Sequence, residues 1–198
     1  MMEKVLYLMR HAETLFNRRR KIQGWCDAPL TEFGQYQASC AREYFKREDI
    51  AFSDAYSSTS ERACDTLEIV TNGEIPYQRM KGLKEWNFGT FEGESEDLNP
   101  PLPYEDFFVP YGGESQNQVV TRMVTTITKL MQESKGSSIL IVSHGGAIAN
   151  FARAYREYWQ TDLPLGLGNC AILKFHFRDD VFYLEEVIRH DFSGWKET

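Results

Sequence analysis

The chain has 198 residues, enough for one domain with a true hydrophobic core. Hydrophobic residues make up 42% and charged residues 26%, and the formal net charge is -7, from 22 Lys+Arg against 29 Asp+Glu. That balance argues against a nucleic-acid or anionic-membrane surface as the main partner, while a local basic pocket can still bind a small anion.

Val5–Met9 is a short apolar run of β-branched and aromatic character, which reads as a buried strand. It runs into Arg10-His11-Ala12-Glu13. A cation beside an imidazole at the carboxyl end of such a strand suggests chemistry on an anion, most simply a phosphate, because ligands of α/β sheets bind at that edge. Thr31 is placed to cap a helix whose positions Phe33, Tyr36, Cys40, Ala41, Tyr44 and Phe45 recur at three and four. Residues 51–56 predict a second strand. Ser58 with Glu61 three residues later fits a capping box, opening a helix through Ala63, Leu67 and Val70. Arg62 then falls in a first helical turn, where free backbone amides and the helix dipole favour an anion.

Tyr77–Arg79 predicts another strand after the turn signal Asn72-Gly73. Residues 85–121 carry eight acidic residues, no Lys or Arg, and a concentration of Pro and aromatic side chains, the composition of an irregular insertion or lid centred on about 92–111. Helical spacing resumes at Val120, Met123, Val124, Ile127, Leu130 and Met131. Ser138–Ser143 is the clearest strand, and His144-Gly145-Gly146 leads from it into a helix through Ile148 and Phe151. Two alternating stretches, Ala171–Phe177 and Val181–Val187, flank Arg178-Asp179-Asp180 as a hairpin. The expected fold is a three-layer α/β/α domain spanning 1–198, with a mostly parallel central sheet and an antiparallel edge hairpin near the C-terminus. His176 alternates away from Phe175 and Phe177 and is expected to be exposed. Cys26, Cys40, Cys64 and Cys170 have no metal-like spacing. Without a signal-like N-terminus or a run of ~20 apolar residues, a cytoplasmic protein is expected.

Two strands thus end in histidine, His11 and His144, each followed by small residues. The ordered blocks around them resemble the histidine phosphatase superfamily, the phosphoglycerate mutase-like proteins. The resemblance rests on Leu8–Thr14 with Asn17, Gln23–Thr31 with Gly34 and Gln37, Ser57–Ala63, Leu83–Glu85 with Phe91–Gly93, Gly112–Ser115 and Ser143–Gly146. It implies that His11 accepts a phosphoryl group and that Arg10, Arg62 and His144, the last protonated, hold its oxygens. Glu85 would protonate the leaving oxygen. Asn17, Lys21, Gln23, Gly24 and Gly145 would contribute to binding, with Lys21 standing where the family often has Arg. It also implies no metal and no cofactor.

Phosphatase and mutase share this chemistry and differ in what accepts the phosphoryl group. The stretch 92–111 lacks any cation for a second phosphate and offers Tyr104, Phe107, Phe108 and Tyr111 instead. The expectation is therefore a phosphatase of the short cofactor-independent branch, acting on small phosphate monoesters with an apolar or aromatic leaving group. The basic run Arg18–Lys21 keeps a 2,3-bisphosphoglycerate-dependent mutase as the alternative. A non-catalytic phosphate-binding module is a third reading, and a homodimer is an open expectation.

Overall fold

The computed structural model describes residues 3–196. Six strands form one sheet: β1 (Lys4–Arg10), β2 (Asp54–Ser58), β3 (Tyr77–Met80), β4 (Ser138–Ser143), β5 (Ile172–Arg178) and β6 (Val181–Ile188), in the spatial order β3-β2-β4-β1-β5-β6. The first four are mutually parallel, with Arg10 opposite Ser143 in the β1–β4 register. β5 runs antiparallel to β1, and β6 antiparallel to β5. The fold is the expected mostly parallel α/β sheet with an antiparallel edge hairpin. The hairpin turns through Asp179 and Asp180, both at positive φ, a type I′ geometry matched to strand twist.

The central strands are apolar on both faces, as parallel strands must be when helices cover each side. Leu6, Leu8, Ile139 and Ile141 pack towards α4 (Gln116–Glu133) and α5 (Gly145–Ala154). Tyr7, Met9, Leu140 and Val142 pack towards α2 (Glu32–Arg47) and α3 (Glu61–Val70). A single short turn of helix, α1 (Leu15–Arg18), follows β1. Thr31 caps α2 as expected, accepting the Gly34 amide at 2.9 Å.

Three local expectations are corrected. β2 starts at Asp54 rather than residue 51, because pairing of Asp54 with Ile139 sets its register. Ser58 does not cap α3: it ends β2, and the cap position falls to Ser60, whose side chain makes no cap bond. His176 is half-buried, held between Glu3 and Glu185 at 2.8 Å each.

The acidic insertion has its own core. Phe108 is fully buried, with ring centroids 4.9 Å from Phe88, 5.0 Å from Phe107, 5.4 Å from Tyr104 and 5.5 Å from Phe91. Phe107 and Tyr111 lie on its outer surface. Of the aromatics expected from sequence to meet a ligand, Phe108 instead holds the insertion to the body, and Phe107 and Tyr111 face outward. Phe108→Ala is expected to cost about 3–5 kcal/mol, the usual penalty of emptying a buried aromatic site. A clear fall in the urea midpoint of global unfolding checks this; an unchanged midpoint would mean that the insertion is not part of the cooperative unit.

Candidate active site

Parallel strands end at one edge, and that is where the chemistry-bearing side chains gather. His11 follows β1, its amide bonded to the Ser143 carbonyl at 2.9 Å, and His144 follows β4. Both are buried, and their rings lie 5.2 Å apart between centroids at 60°. His11 Nδ1 lies 2.8 Å from the Ala12 carbonyl. A carbonyl only accepts, so Nδ1 carries the hydrogen and Nε2 keeps a lone pair. Arg62 Nε–H donates to that Nε2 at 3.4 Å, consistent with this tautomer.

Arg62 is completely buried. Its Nη1 donates to the Cys26 carbonyl at 2.9 Å and to Asp27 Oδ1 at 2.8 Å, and its Nη2 to the Gly24 carbonyl at 2.8 Å. Five N–H donors less these three leave the Nε–H and one Nη2–H, the edge turned towards His11. The anion site expected at the α3 N-terminus is partly occupied: the Glu61 amide donates to Asp27 Oδ2 at 2.6 Å.

Burial, then the charge of Arg62, push both imidazoles well below the ordinary histidine pKa, so both are neutral in the unliganded site. The cations around His144 oppose a proton in the absence of a bound anion, whereas the protonated form expected from sequence belongs to the phosphate-bound site. His144 Nε2 lies 2.7 Å from Ser58 Oγ, which also accepts the Ser60 amide. Cys26, although adjacent, is no rival nucleophile. Burial and Glu92 push its thiol up to about 12.

Glu85 is buried and held from two sides. Its Oε1 accepts the amides of Trp86 at 2.8 Å and Ala147 at 2.7 Å, and its Oε2 accepts Gly146 at 2.8 Å. The α5 N-terminus thus grips this carboxylate. A Cβ at Gly146 would come within 2.9 Å of it, so only glycine fits without displacement. From α4, Arg122 donates to the backbone carbonyls of Gly82, Lys84 and Glu85 and pairs with Glu114 through Nε and Nη2 at 2.8 and 2.9 Å. Glu114 Oε2 in turn accepts the Asn87 amide, and the Glu114 amide donates to the Asn87 carbonyl, each at 2.9 Å.

A cavity of about 660 Å³ opens over these groups. Arg10, His11, Asn17, Lys21, Gln23, Glu85 and Gly145 line it, whereas Arg62 and His144, both fully buried, lie behind its wall. Arg10 Nε and Gln23 Nε2, both buried, have no hydrogen-bond partner among the described residues, and neither has His144 Nδ1. Such groups suit an acceptor-rich ligand. Gly24 is not at the cavity: its carbonyl accepts Arg62 and its amide is held by Glu92 at 3.0 Å. It is a positioning residue, and a Cβ there would collide with the Trp86 carbonyl. Of the basic run, Arg18, Arg19 and Arg20 are exposed and Arg20 pairs with Asp97 at 2.8 Å; Lys21 alone lines the cavity. From the insertion come Glu96, Asn99, Leu102, Pro103 and Tyr104, but not Phe107, Phe108 or Tyr111. Arg153 of α5 also lines it, so a cation absent from the insertion arrives from elsewhere in the chain.

Sequence reasoning missed several supports. Glu92 accepts four backbone amides, Gly24, Trp25, Cys26 and Phe88, at 2.8–3.1 Å, tying the loop that holds Arg62 to the insertion. Asn169 donates to the His11 carbonyl at 3.1 Å and to Asn17 Oδ1 at 3.3 Å. Asp27 and Glu92 lie within recognisable blocks, whereas Arg122 and Asn169 carry no local signal. Among the described residues, no group of three His, Cys, Asp or Glu side chains gathers as a metal site, and no helix is long and apolar enough to cross a membrane.

This architecture and site place the chain in a known class. The profile of the histidine phosphatase superfamily (branch 1) matches residues 6–189, and the chain belongs to that superfamily. It is similar to phosphoglycerate mutase-like protein 4 of Arabidopsis thaliana, 31% identical over 72% of this chain and 67% of that one. It is also similar to a metal-independent phosphoserine phosphatase of the same plant, 28% identical over 91% and 79%. Among solved structures, a phosphoserine phosphatase of Entamoeba histolytica in complex with 3-phosphoglyceric acid superposes with a TM-score of 0.78, at 28% identity, covering 96% of this chain and 98% of that one.

The neutral imidazoles have a consequence for stability. An unfolded histidine gains a proton near pH 6.5, whereas each of these stays neutral in the fold to lower pH. Below about pH 6.5 the unfolded chain therefore binds more protons, and each histidine lowers stability by up to about 1.4 kcal/mol per pH unit. Urea unfolding between pH 7.5 and 5.5 is expected to show this slope, and His144→Gln to flatten it.

Proposed function

We propose that the protein is a phosphatase that hydrolyses small phosphate monoesters through a phosphohistidine on His11. One observation carries this reading: the unprotonated Nε2 of His11 meets the Nε–H of a buried arginine beside a second imidazole, and His11 shares its cavity with the Glu85 carboxyl group. Resemblance to a metal-independent phosphoserine phosphatase supports it.

His11 Nε2 attacks phosphorus as the bond to the leaving oxygen breaks. Glu85 gives that oxygen a proton, and the alcohol departs. Arg10, Arg62, Gln23 and Asn17 hold the three non-bridging oxygens, supplying the positioning and charge stabilisation on which phosphoryl transfer depends. His144 joins them by taking up a proton when the dianion enters, since a neighbouring negative charge reverses the balance set by the arginines. In the second step Glu85 takes a proton from water as its oxygen attacks phosphorus. The N–P bond breaks, phosphate leaves, and His11 returns neutral.

Residues 92–111 form the outer wall of the cavity and act as its lid. They supply Leu102, Pro103 and Tyr104 together with Glu96 and Asn99, and no cation, which favours an apolar contact with the leaving group over a second phosphate. The mutase remains the second reading because Lys21 and Arg153 enter the cavity from outside the lid.

Brief incubation with a radiolabelled phosphate ester and an alkaline quench is expected to leave an acid-labile, base-stable label on the peptide containing His11, absent in His11→Ala. Label on serine or cysteine would sink the scheme. Glu85→Gln is expected to lower kcat by about 10²–10⁴-fold, the size of a lost proton-transfer contribution. Supplied with 3-phosphoglycerate and trace bisphosphoglycerate, the wild type is expected to release inorganic phosphate faster than it isomerises the substrate; the opposite outcome promotes the mutase.

A further inference from the structure

One face of α5 runs the length of the cavity. Gly145, Gly146, Ala149, Asn150 and Arg153 all line it, the i, i+1, i+4, i+5, i+8 spacing of a single helical stripe. The inner end of the stripe touches the phosphate machinery: a Cβ on Gly145 would lie 3.3 Å from Arg10 Nε, and Gly146 binds Glu85. Arg153 stands at the outer end. Eight residues of helix rise about 12 Å, and a helical side chain leans back towards the N-terminus, so the guanidinium falls roughly 6–12 Å along the axis from the phosphate end.

The walls between are in large part apolar, and Glu96, the one carboxylate they add, lies 3.9 Å from Arg20. Trp86, Tyr104, Ala149 and Leu167 line the cavity, together with Leu102 and Leu165, which are 64% and 95% exposed. Asn150 is fixed, donating to the Gly146 carbonyl and accepting from Gln116, both at 2.9 Å, and so keeps this stripe of α5 in register with α4. Arg153 makes no ion pair or side-chain hydrogen bond among the described residues. The same holds for Lys21, which lines the cavity beside the insertion through its pairing with Ser95. A cation at the mouth of a cavity, unpaired and separated from the phosphate site by an apolar stretch, is placed to receive a second negative group.

The geometry points to Arg153 as a specificity-determining residue that binds a carboxylate on the leaving group, so that the enzyme prefers phosphate monoesters whose alcohol carries an anionic group beyond an apolar or aromatic spacer. This rests on the phosphatase reading and deepens it: the lid supplies the apolar contact and α5 the charge. It assigns Arg153 no part in the bond-breaking steps.

Phenyl phosphate and 4-carboxyphenyl phosphate test it, since they differ only in a carboxylate across the ring. The wild type is expected to favour the carboxylated ester by about ten-fold or more in kcat/KM, the worth of one charge-assisted contact. Arg153→Gln is expected to bring that ratio close to unity, and Lys21→Gln to leave it standing. The ratio is the readout, so a general loss of activity in a variant cancels. The same two esters titrated calorimetrically into His11→Ala give the ratio as affinities. An absence of turnover would therefore overturn the phosphatase reading while the carboxylate preference is still measured. No preference in the wild type, a preference that survives Arg153→Gln, or one removed by Lys21→Gln overturns the assignment.

Discussion

The whole site depends on the enclosure of one positive charge. Arg62 has no exposed surface, and an unpaired guanidinium in that position would cost many kcal/mol of lost hydration. The protein compensates by wrapping the 24–27 loop around it, with two backbone carbonyls and Asp27 as acceptors. That loop keeps its shape because Glu92, itself a carboxylate satisfied by four amides, holds its backbone from the other side. Charge, loop and counter-carboxylate are each stable only with the others in place. The free edge of Arg62 that meets His11 is what remains once those demands are met.

The electrostatics follow from this arrangement. The chain as a whole is acidic, yet its cavity concentrates Arg10, Lys21 and Arg153 over Arg62, so the local potential opposes the global one. Burial, then Arg62 and more weakly Arg10, hold protons off His11 and His144. A neutral imidazole is nucleophilic and a charged one is not. Burial and the arginines together keep His11 in the neutral form, while Arg10, Lys21 and Arg153 offer the cavity's cations to an incoming anion.

Much of this was legible in the sequence, because strand-end position and residue type carry it. β4 and the two strand-end histidines follow directly from apolar runs closed by polar residues. What escaped was information held in tertiary contacts. Ser58 looks like a helix cap by spacing, but the pairing of β2 with β4 extends the strand through it and turns its hydroxyl to His144. Arg122 reads as one more polar position on an amphipathic helix, and only the fold brings it under the backbone of Glu85. The aromatics of the insertion read as ligand contacts because composition cannot distinguish a wall from a core. Arg153 is silent in sequence, since its meaning lies in the direction α5 takes from His144.

The double contact between Asn87 and Glu114 has an architectural consequence. It pinches the chain shut just beyond Glu85, and twenty-six residues then loop out and return to the same point. Glu92, inside that excursion, holds the loop that wraps Arg62, whereas Glu85 is held from outside it by α4 and α5. A change beyond Glu92 would therefore remould one wall of the cavity and leave the support of the buried carboxylate in place, whereas a change at Glu92 itself would reach Arg62.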